Sequence, residues 1–157
     1  MAEEKKLAII ATKGTLDWAY PPFILASTAA ALGYETQIFF TFYGLNLLKK
    51  DMSDVKVSPL GNPAMPMPMP IPNLVQVLPG MEAMATSMMK KKMKAKGVAS
   101  LEDLRDLCVE AEVSLIACQM TVDLFDYSPS EFIDGIEYGG AATFFEFAGQ
   151  SDISLFI

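Results

Sequence analysis

Apolar, strand-like segments alternate with helix-forming segments along this chain. Lys6–Ala11 reads KLAIIA, an apolar run typical of a strand that is buried on both faces. Residues 35–41 read ETQIFFT, and a helix predicted over residues 17–32 separates the two strands and ends at Gly33. Strands joined through a helix by short links pair in parallel. The start of the chain therefore predicts a βαβ unit.

The same alternation continues through the rest of the sequence. Helices are predicted over residues 45–50, 80–96, 119–125 and Ala141–Ala148, with others beginning near Ser100 and Ser128. Both serines stand three residues before an acidic residue, which is the spacing of a helix capping box. Strands are predicted over residues 112–118 and 153–157. This order predicts an α/β fold in which helices cover a mainly parallel sheet.

One segment interrupts the alternation. Residues 55–79 contain the run PAMPMPMPIP, and such a density of proline fits neither a helix nor a central strand. We expect an extended loop of polyproline character, which either covers an apolar area of the surface or acts as a lid or partner-binding segment. Because 157 residues suit one domain, we interpret residues 1–157 as a single domain that carries this insert.

The helix predicted over residues 80–96 is rich in methionine and lysine. At 100° per residue, one half of its circumference carries Met81, Met84, Ala85, Met88, Met89 and Met93, and Lys90, Lys91 and Lys94 lie opposite. The methionine face is open to three interpretations: ordinary core, a subunit interface, or a basic helix on a membrane surface. We expect an interface in a homo-oligomer, because an exposed apolar area of this size is unusual for a soluble monomer.

Composition excludes several classes of site. The chain has no histidine and two cysteines, so Ser–His or Cys–His pairs, imidazole ligands and a four-cysteine zinc site are impossible within one chain. We therefore expect no metal and no cofactor. A net charge of −7 argues against nucleic-acid binding, which needs a broad basic surface. The loop at residues 12–15, TKGT, lacks the glycine patterns of phosphate-binding loops.

The N-terminus and the cysteines predict a cytoplasmic protein with reduced thiols. The first residues mix Glu3 and Glu4 with Lys5 and Lys6, which is unlike a signal peptide. The uncharged stretches at 18–34 and 57–81 contain prolines, so neither is expected to form a membrane-spanning helix. Peripheral association at the inner face of a membrane, through the lysine-rich helix, remains an alternative.

The candidate chemistry lies where predicted strands end, because open α/β sheets place their sites at the carboxyl ends of strands. Cys118 ends an apolar strand and directly precedes a helix, whose free N–H groups favour an anion such as a thiolate. We therefore expect a lowered pKa and a nucleophilic sulfur at Cys118, the alternative being an inert buried thiol. The residues expected to line the site or stabilise the thiolate are Lys13, Gly14, Tyr43, Gln119, Met120 and Thr121.

Cys108 is the second thiol. It falls on the apolar face of the helix that begins near Ser100, which suggests a small core residue. The functional alternative is a resolving or relay thiol for Cys118, which would require the two Cα atoms to come within about 7 Å.

Three segments together resemble the DsrE/DsrF-like family of small sulfur-carrier proteins. Residues 6–48 resemble the first half of that family, and residues 113–125, VSLIACQMTVDLF, resemble its active-site segment, with Cys118 at the position of the carrier cysteine. Residues 138–157 resemble its last helix and strand. The Met-Pro insert and the Met-Lys helix are similar to a larger subgroup, which often carries a second cysteine where Cys108 stands.

The resemblance implies a flavodoxin-like three-layer sandwich and homo- or hetero-oligomers. It also implies a sulfurtransferase-like carrier that holds sulfane sulfur as a cysteine persulfide, in sulfur oxidation or in tRNA thiolation. Rhodanese-type sulfurtransferases and small TusA-like carriers are the partners that it implies. The alternative function is a non-catalytic oligomeric interaction or membrane-surface module in which Cys118 is structural.

Overall fold

A computed structural model describes residues 3–58 and 73–157. Five strands form one sheet in the order β4-β3-β2-β1-β5, and every neighbouring pair is parallel. The strands are β1 Lys6–Ala11, β2 Glu35–Phe40, β3 Ser114–Cys118, β4 Glu137–Gly139 and β5 Ile153–Phe156. The predicted α/β class is confirmed, and the sheet is entirely rather than mainly parallel.

Helices lie on both faces of this sheet. The α-helices are α1 Leu16–Ala31, α2 Met81–Ala95, α3 Leu101–Glu110, α4 Gln119–Leu124 and α5 Ala141–Ala148. Single or double 3₁₀ turns occur at Phe42–Leu48, Asn73–Val77 and Pro129–Glu131. Most of the predicted insert, residues 59–72, lies outside the described residues. Within 3–58 and 73–157, no helix is both long and apolar enough to span a lipid bilayer.

The sheet separates two cores of unequal size, because successive strand residues point to opposite faces. The larger core packs α1 and α3 on one face and includes Ile9, Ile38, Leu115, Phe23 and Cys108. The smaller core, on the other face, contains Phe39, Ile116 and Cys118, with Ile10 and Phe144 packed against it. Phe144 belongs to α5, and its ring centroid lies 5.7 Å from that of Phe39. Cys118 therefore faces the thinly covered side of the sheet.

The segment after β2 is a 3₁₀ helix from Phe42 to Leu48, not the α-helix predicted over residues 45–50. Buried Arg105 of α3 explains where it ends. Its guanidinium donates to the carbonyls of Leu47, at 3.0 Å, and Lys49, at 2.6 Å. Those bonds satisfy the terminal carbonyls, so the chain continues in an extended conformation at Lys49.

The predicted helix at Ser128 is only one 3₁₀ turn, Pro129–Glu131. Its capping box forms as expected, since the Ser128 N–H donates to the Glu131 carboxylate at 2.7 Å. The next residue, Phe132, pairs in an antiparallel bridge with Lys49, which holds the chain extended and stops the helix. Strand β4 follows and was not predicted. Its three residues are too few to show a hydrophobic period.

The methionine face of α2 divides between two environments. Ala85, Met89 and Met93 pack against the larger core, whereas Met84 and Met88 are 51% and 63% exposed. Part of the stripe is thus ordinary core, and part faces outward.

Candidate functional site

Cys118 occupies the last position of β3 and the N-cap of α4. The register pairs it with Gly139 of β4, and its side chain is 5% exposed. The strand-end position arises because the apolar run of β3 stops where the helix-forming residues of α4 begin. The thiol consequently meets the first N–H groups of the helix.

Hydroxyl and amide groups surround the Cys118 sulfur. Burial raises the pKa of this thiol, but hydrogen bonds from the hydroxyls of Thr121 and Thr41 and from the backbone N–H groups of Met120 and Thr121 outweigh it and hold the pKa below its usual range. Hydrogen bonds to the charged form of an acid favour that form. The expected nucleophilic thiolate therefore has a structural basis in two hydroxyls and a helix start.

Thr121 is fully buried and also joins two elements of the site. Its hydroxyl oxygen lies 3.3 Å from that of Thr41 and accepts a hydrogen bond from the N–H of Phe42 at 3.2 Å. The end of β2 is thereby held against the first turn of α4. Thr121 was among the predicted site residues, and Thr41 and Phe42 lie at the end of the predicted second strand, one of the strand ends expected to carry chemistry.

Gly14 packs closely against the loop that follows β2. A Cβ atom at Gly14 would collide with the carbonyl oxygen of Tyr43, and one at Gly44 would collide with that of Ala11. Both positions thus need a residue without a side chain. The loops after β1 and β2 are locked together at this edge of the sheet.

Lys13 is not among the groups that lower the pKa of Cys118. Strand β2 lies between β1 and β3, and the Lys13 ammonium sits 3.3 Å from the ring centroid of Trp18. Lys13 and Cys118 therefore follow strands that are not neighbours in the sheet. The lysine instead lines a cavity of about 390 Å³ with Gly14, Trp18, Tyr43 and Asn46.

The remaining predicted residues lie on the rim of the site. Tyr43 is 62% exposed and stacks on Phe125, with ring centroids 6.0 Å apart. Met120 is 61% exposed, and the amide of Gln119 donates to the Asp123 carboxylate at 2.8 Å. Phe125 was missed, since nothing in its local sequence distinguishes it from a core aromatic residue.

Cys108 belongs to the other core. It is completely buried between α3 and α1, where its thiol donates to the Phe23 carbonyl at 3.4 Å. Burial raises the pKa of this thiol to about 11. Because Cys118 lies in the core on the opposite face, the sheet stands between the two sulfur atoms. This arrangement opposes a direct disulfide in the folded chain.

Comparison with known proteins agrees with this fold. A sequence model described as "DsrE/DsrF/DrsH-like family" matches residues 3–156. The chain is 72% identical to a protein named sulfur carrier protein DsrE2 from Allochromatium vinosum, covering 99% of both sequences. It is 32% identical to an uncharacterized protein, YrkE, from Bacillus subtilis, covering 99% of this chain and 98% of that one.

A solved structure supports the fold alone. The YchN protein from E. coli superimposes with a TM-score of 0.51 at 12% sequence identity, covering 98% of this chain and 99% of that one. The family-model match over residues 3–156 and the 72% identity to the Allochromatium vinosum protein establish that the chain belongs to the DsrE/DsrF/DrsH-like family.

Proposed function

We propose that this protein is a sulfur carrier that holds sulfane sulfur as a persulfide on Cys118. One observation carries the proposal: a thiol with a lowered pKa stands at a strand end beside a helix start. The 72% identity to a protein named as a sulfur carrier supports it. The lowered pKa raises the fraction of thiolate, which is the reactive form of cysteine.

Transfer follows the chemistry of thiol–disulfide exchange. The Cys118 thiolate attacks the outer sulfur of a donor persulfide; a new S–S bond forms, the donor S–S bond breaks, and the donor cysteine leaves as a thiolate. In the second step an acceptor thiolate attacks the outer sulfur on Cys118, which leaves as a thiolate in turn. Each step moves one sulfur atom without net electron transfer between the proteins. The lowered pKa raises the fraction of Cys118 present as thiolate for the first step, and it makes Cys118 a better leaving group in the second.

The proposal also covers the partner proteins and the pathway in which the sulfur is transferred. Rhodanese-type sulfurtransferases are the proposed donors, and small TusA-like carriers are proposed partners, in sulfur oxidation or in tRNA thiolation. We propose a cytoplasmic homo-oligomer of a single domain. Cys108 is proposed to support the fold and, at most, to assist transfer.

Mass spectrometry tests the carrier role directly. The intact protein is incubated with inorganic polysulfide or with a persulfide-loaded rhodanese, desalted and weighed. The wild type and Cys108→Ser should gain the mass of one or more sulfur atoms, and Cys118→Ser should gain none. Peptide mapping locates the added sulfur. Loading of Cys118→Ser at Cys108, or no loading of the wild type by either donor, contradicts the proposal.

A second candidate function rests on the outward-facing methionines of α2. Met84 and Met88 are exposed on a helix whose second half carries Lys90, Lys91 and Lys94. In this alternative the chain is an oligomeric interaction or membrane-surface module, and Cys118 is structural. A structural thiol would be alkylated slowly at pH 6, whereas the carrier thiol reacts rapidly.

A further inference from the structure

An exposed apolar patch adjoins the Cys118 site. We define it by Phe42, Tyr43, Met120, Leu124 and Phe125. Tyr43, Met120 and Leu124 are each more than half exposed, and Phe42 is 44% exposed. Within the patch, the Phe125 ring lies against those of Phe42 and Tyr43, at centroid distances of 6.4 and 6.0 Å. Met120 and Leu124 are one helical turn apart on α4, which ends next to Phe125.

The patch is carried by the two elements that hold the thiol. Cys118 is the N-cap of α4, and the hydroxyl of Thr121 in that helix lies 3.3 Å from the Thr41 hydroxyl. Phe42 and Tyr43 directly follow Thr41, and Met120, Leu124 and Phe125 belong to α4 or to its C-cap. Phe42 adopts a φ of 48°, a left-handed conformation that is costly for a bulky residue. Its N–H bond to Thr121 helps to hold it there. The fold thus keeps a strained aromatic residue in a half-exposed position next to the reactive sulfur.

The charge around this patch is strongly uneven. The first 118 residues carry as many acidic as basic residues, twelve of each, so the whole net charge of −7 comes from the 39 residues after Cys118. Those residues are without lysine or arginine, and their acids are Asp123, Asp126, Glu131, Asp134, Glu137, Glu146 and Asp152. Asp123 and Asp126 flank Leu124 and Phe125, and both are exposed. On the opposite border, the Lys49 ammonium lies 4.1 Å from the ring centroid of Tyr127.

We propose that the apolar patch docks a sulfur-transfer protein whose reactive cysteine stands in an apolar surface with lysine or arginine residues on the side that meets α4. This docking proposal rests on the proposed carrier function, and it specifies the kind of surface that the partner protein presents. Apolar contact supplies affinity, and opposite charges orient the encounter and accelerate it. A second copy presenting the same patch about a two-fold axis would bring like-charged acidic surfaces together, which disfavours that occupant.

Charged model peptides provide the test. Two heptapeptides, Lys-Lys-Leu-Cys-Leu-Lys-Lys and Glu-Glu-Leu-Cys-Leu-Glu-Glu, each carry the cysteine as a mixed disulfide with thionitrobenzoate. In the Cys108→Ser chain, the Cys118 thiolate attacks the peptide sulfur, the disulfide breaks, and the coloured thionitrobenzoate leaves. We expect the lysine peptide to react about tenfold faster than the glutamate peptide at low salt, and the ratio to approach one at about 0.5 M salt.

Two variants and a matched control assign the effect to the patch. Asp123→Asn with Asp126→Asn should lower the ratio of the lysine-peptide rate to the glutamate-peptide rate severalfold. Glu110→Gln with Glu112→Gln should leave that ratio unchanged, because those two acids lie at the amino end of β3, away from the patch. Leu124→Ser should slow the reaction of Cys118 with both peptides severalfold. None of these variants should alter the rate with neutral 2-hydroxyethyl disulfide, which is too small to contact the patch.

The docking proposal would be overturned by equal rates for the two peptides. It would also be overturned if the two aspartate substitutions left the ratio of the two rates unchanged. A smaller solution mass of Leu124→Ser would overturn it too, because it would assign the patch to contact between copies of this chain. Sulfur loading from polysulfide is measured on the same variants. A chain that loads sulfur without discriminating between the peptides disproves the docking surface alone, and one that discriminates but never loads disproves the carrier function.

Discussion

The Thr121 hydroxyl lies 3.3 Å from the Thr41 hydroxyl, and both groups lower the pKa of the Cys118 thiol. One threonine belongs to α4 and the other follows β2. The acidity of the thiol therefore depends on contact between two segments that are 80 residues apart in sequence.

Removing the Thr121 hydroxyl should make Cys118 a weaker acid. Thr121→Val removes the hydroxyl that does most to lower the pKa of Cys118, so the pKa should rise. At a pH below the pKa, each unit of rise lowers the thiolate fraction about tenfold. Thr41→Val should shift the pKa in the same direction by less. The pH dependence of iodoacetamide alkylation, in a Cys108→Ser background, measures the shift. Thr28→Val, on the exposed face of α1, is the control, and an unchanged midpoint in Thr121→Val contradicts the assignment.

Cys108 should make the fold less stable in alkali. Its folded pKa is about 11, against about 8.5 for a free thiol. The contribution of the neutral thiol to stability is complete below pH 8.5 and is lost as the pH rises toward 11. Between about pH 8.5 and 10, the free energy of unfolding should fall by up to about 1.4 kcal/mol per pH unit. Urea denaturation at a series of pH values measures the free energy of unfolding. Cys108→Ala should flatten its decline with pH, and Cys118→Ser should retain that decline.

The two glycines at the carboxyl edge should not tolerate a methyl group. Gly14→Ala and Gly44→Ala each force a Cβ atom against a carbonyl oxygen of the neighbouring loop, which should cost about 1–3 kcal/mol of stability. Gly140→Ala is the matched control, because nothing lies within 4 Å of its Cβ position and its φ of −124° suits any residue. Thermal unfolding compares the three. Equal midpoints for Gly14→Ala and Gly140→Ala would mean that the two loops are not locked together.

The exposed methionines of α2 should mediate association between copies. Met84→Glu with Met88→Glu places two charges on the outward face, so light scattering should report a smaller particle than for the wild type. Ala83→Glu with Ser87→Glu has the same spacing on exposed neighbouring positions and should leave the mass unchanged. If the methionine variant keeps the wild-type mass but loses binding to anionic liposomes, the membrane alternative replaces the oligomer.

Much of the fold was predictable because its signals are local. The apolar run of β1, the capping serine of α3 and the strand–helix junction at Cys118 each depend on neighbouring residues, and each appears at or near its predicted position. The 3₁₀ helix at Phe42–Leu48 and strand β4 were not predictable in this way. Their conformations depend on partners that are distant in sequence, Arg105 for the first and β3 for the second.

The sequence by itself determined the α/β class and placed Cys118 at a strand–helix junction, because hydrophobic runs and helix-start residues act within a few positions of each other. Only the tertiary structure decided the strand order, which leaves Lys13 with Trp18, brings Thr41 to the sulfur, and assigns the two cysteines to opposite faces of the sheet. Strand order is set by pairing and burial between remote segments, which no local pattern encodes.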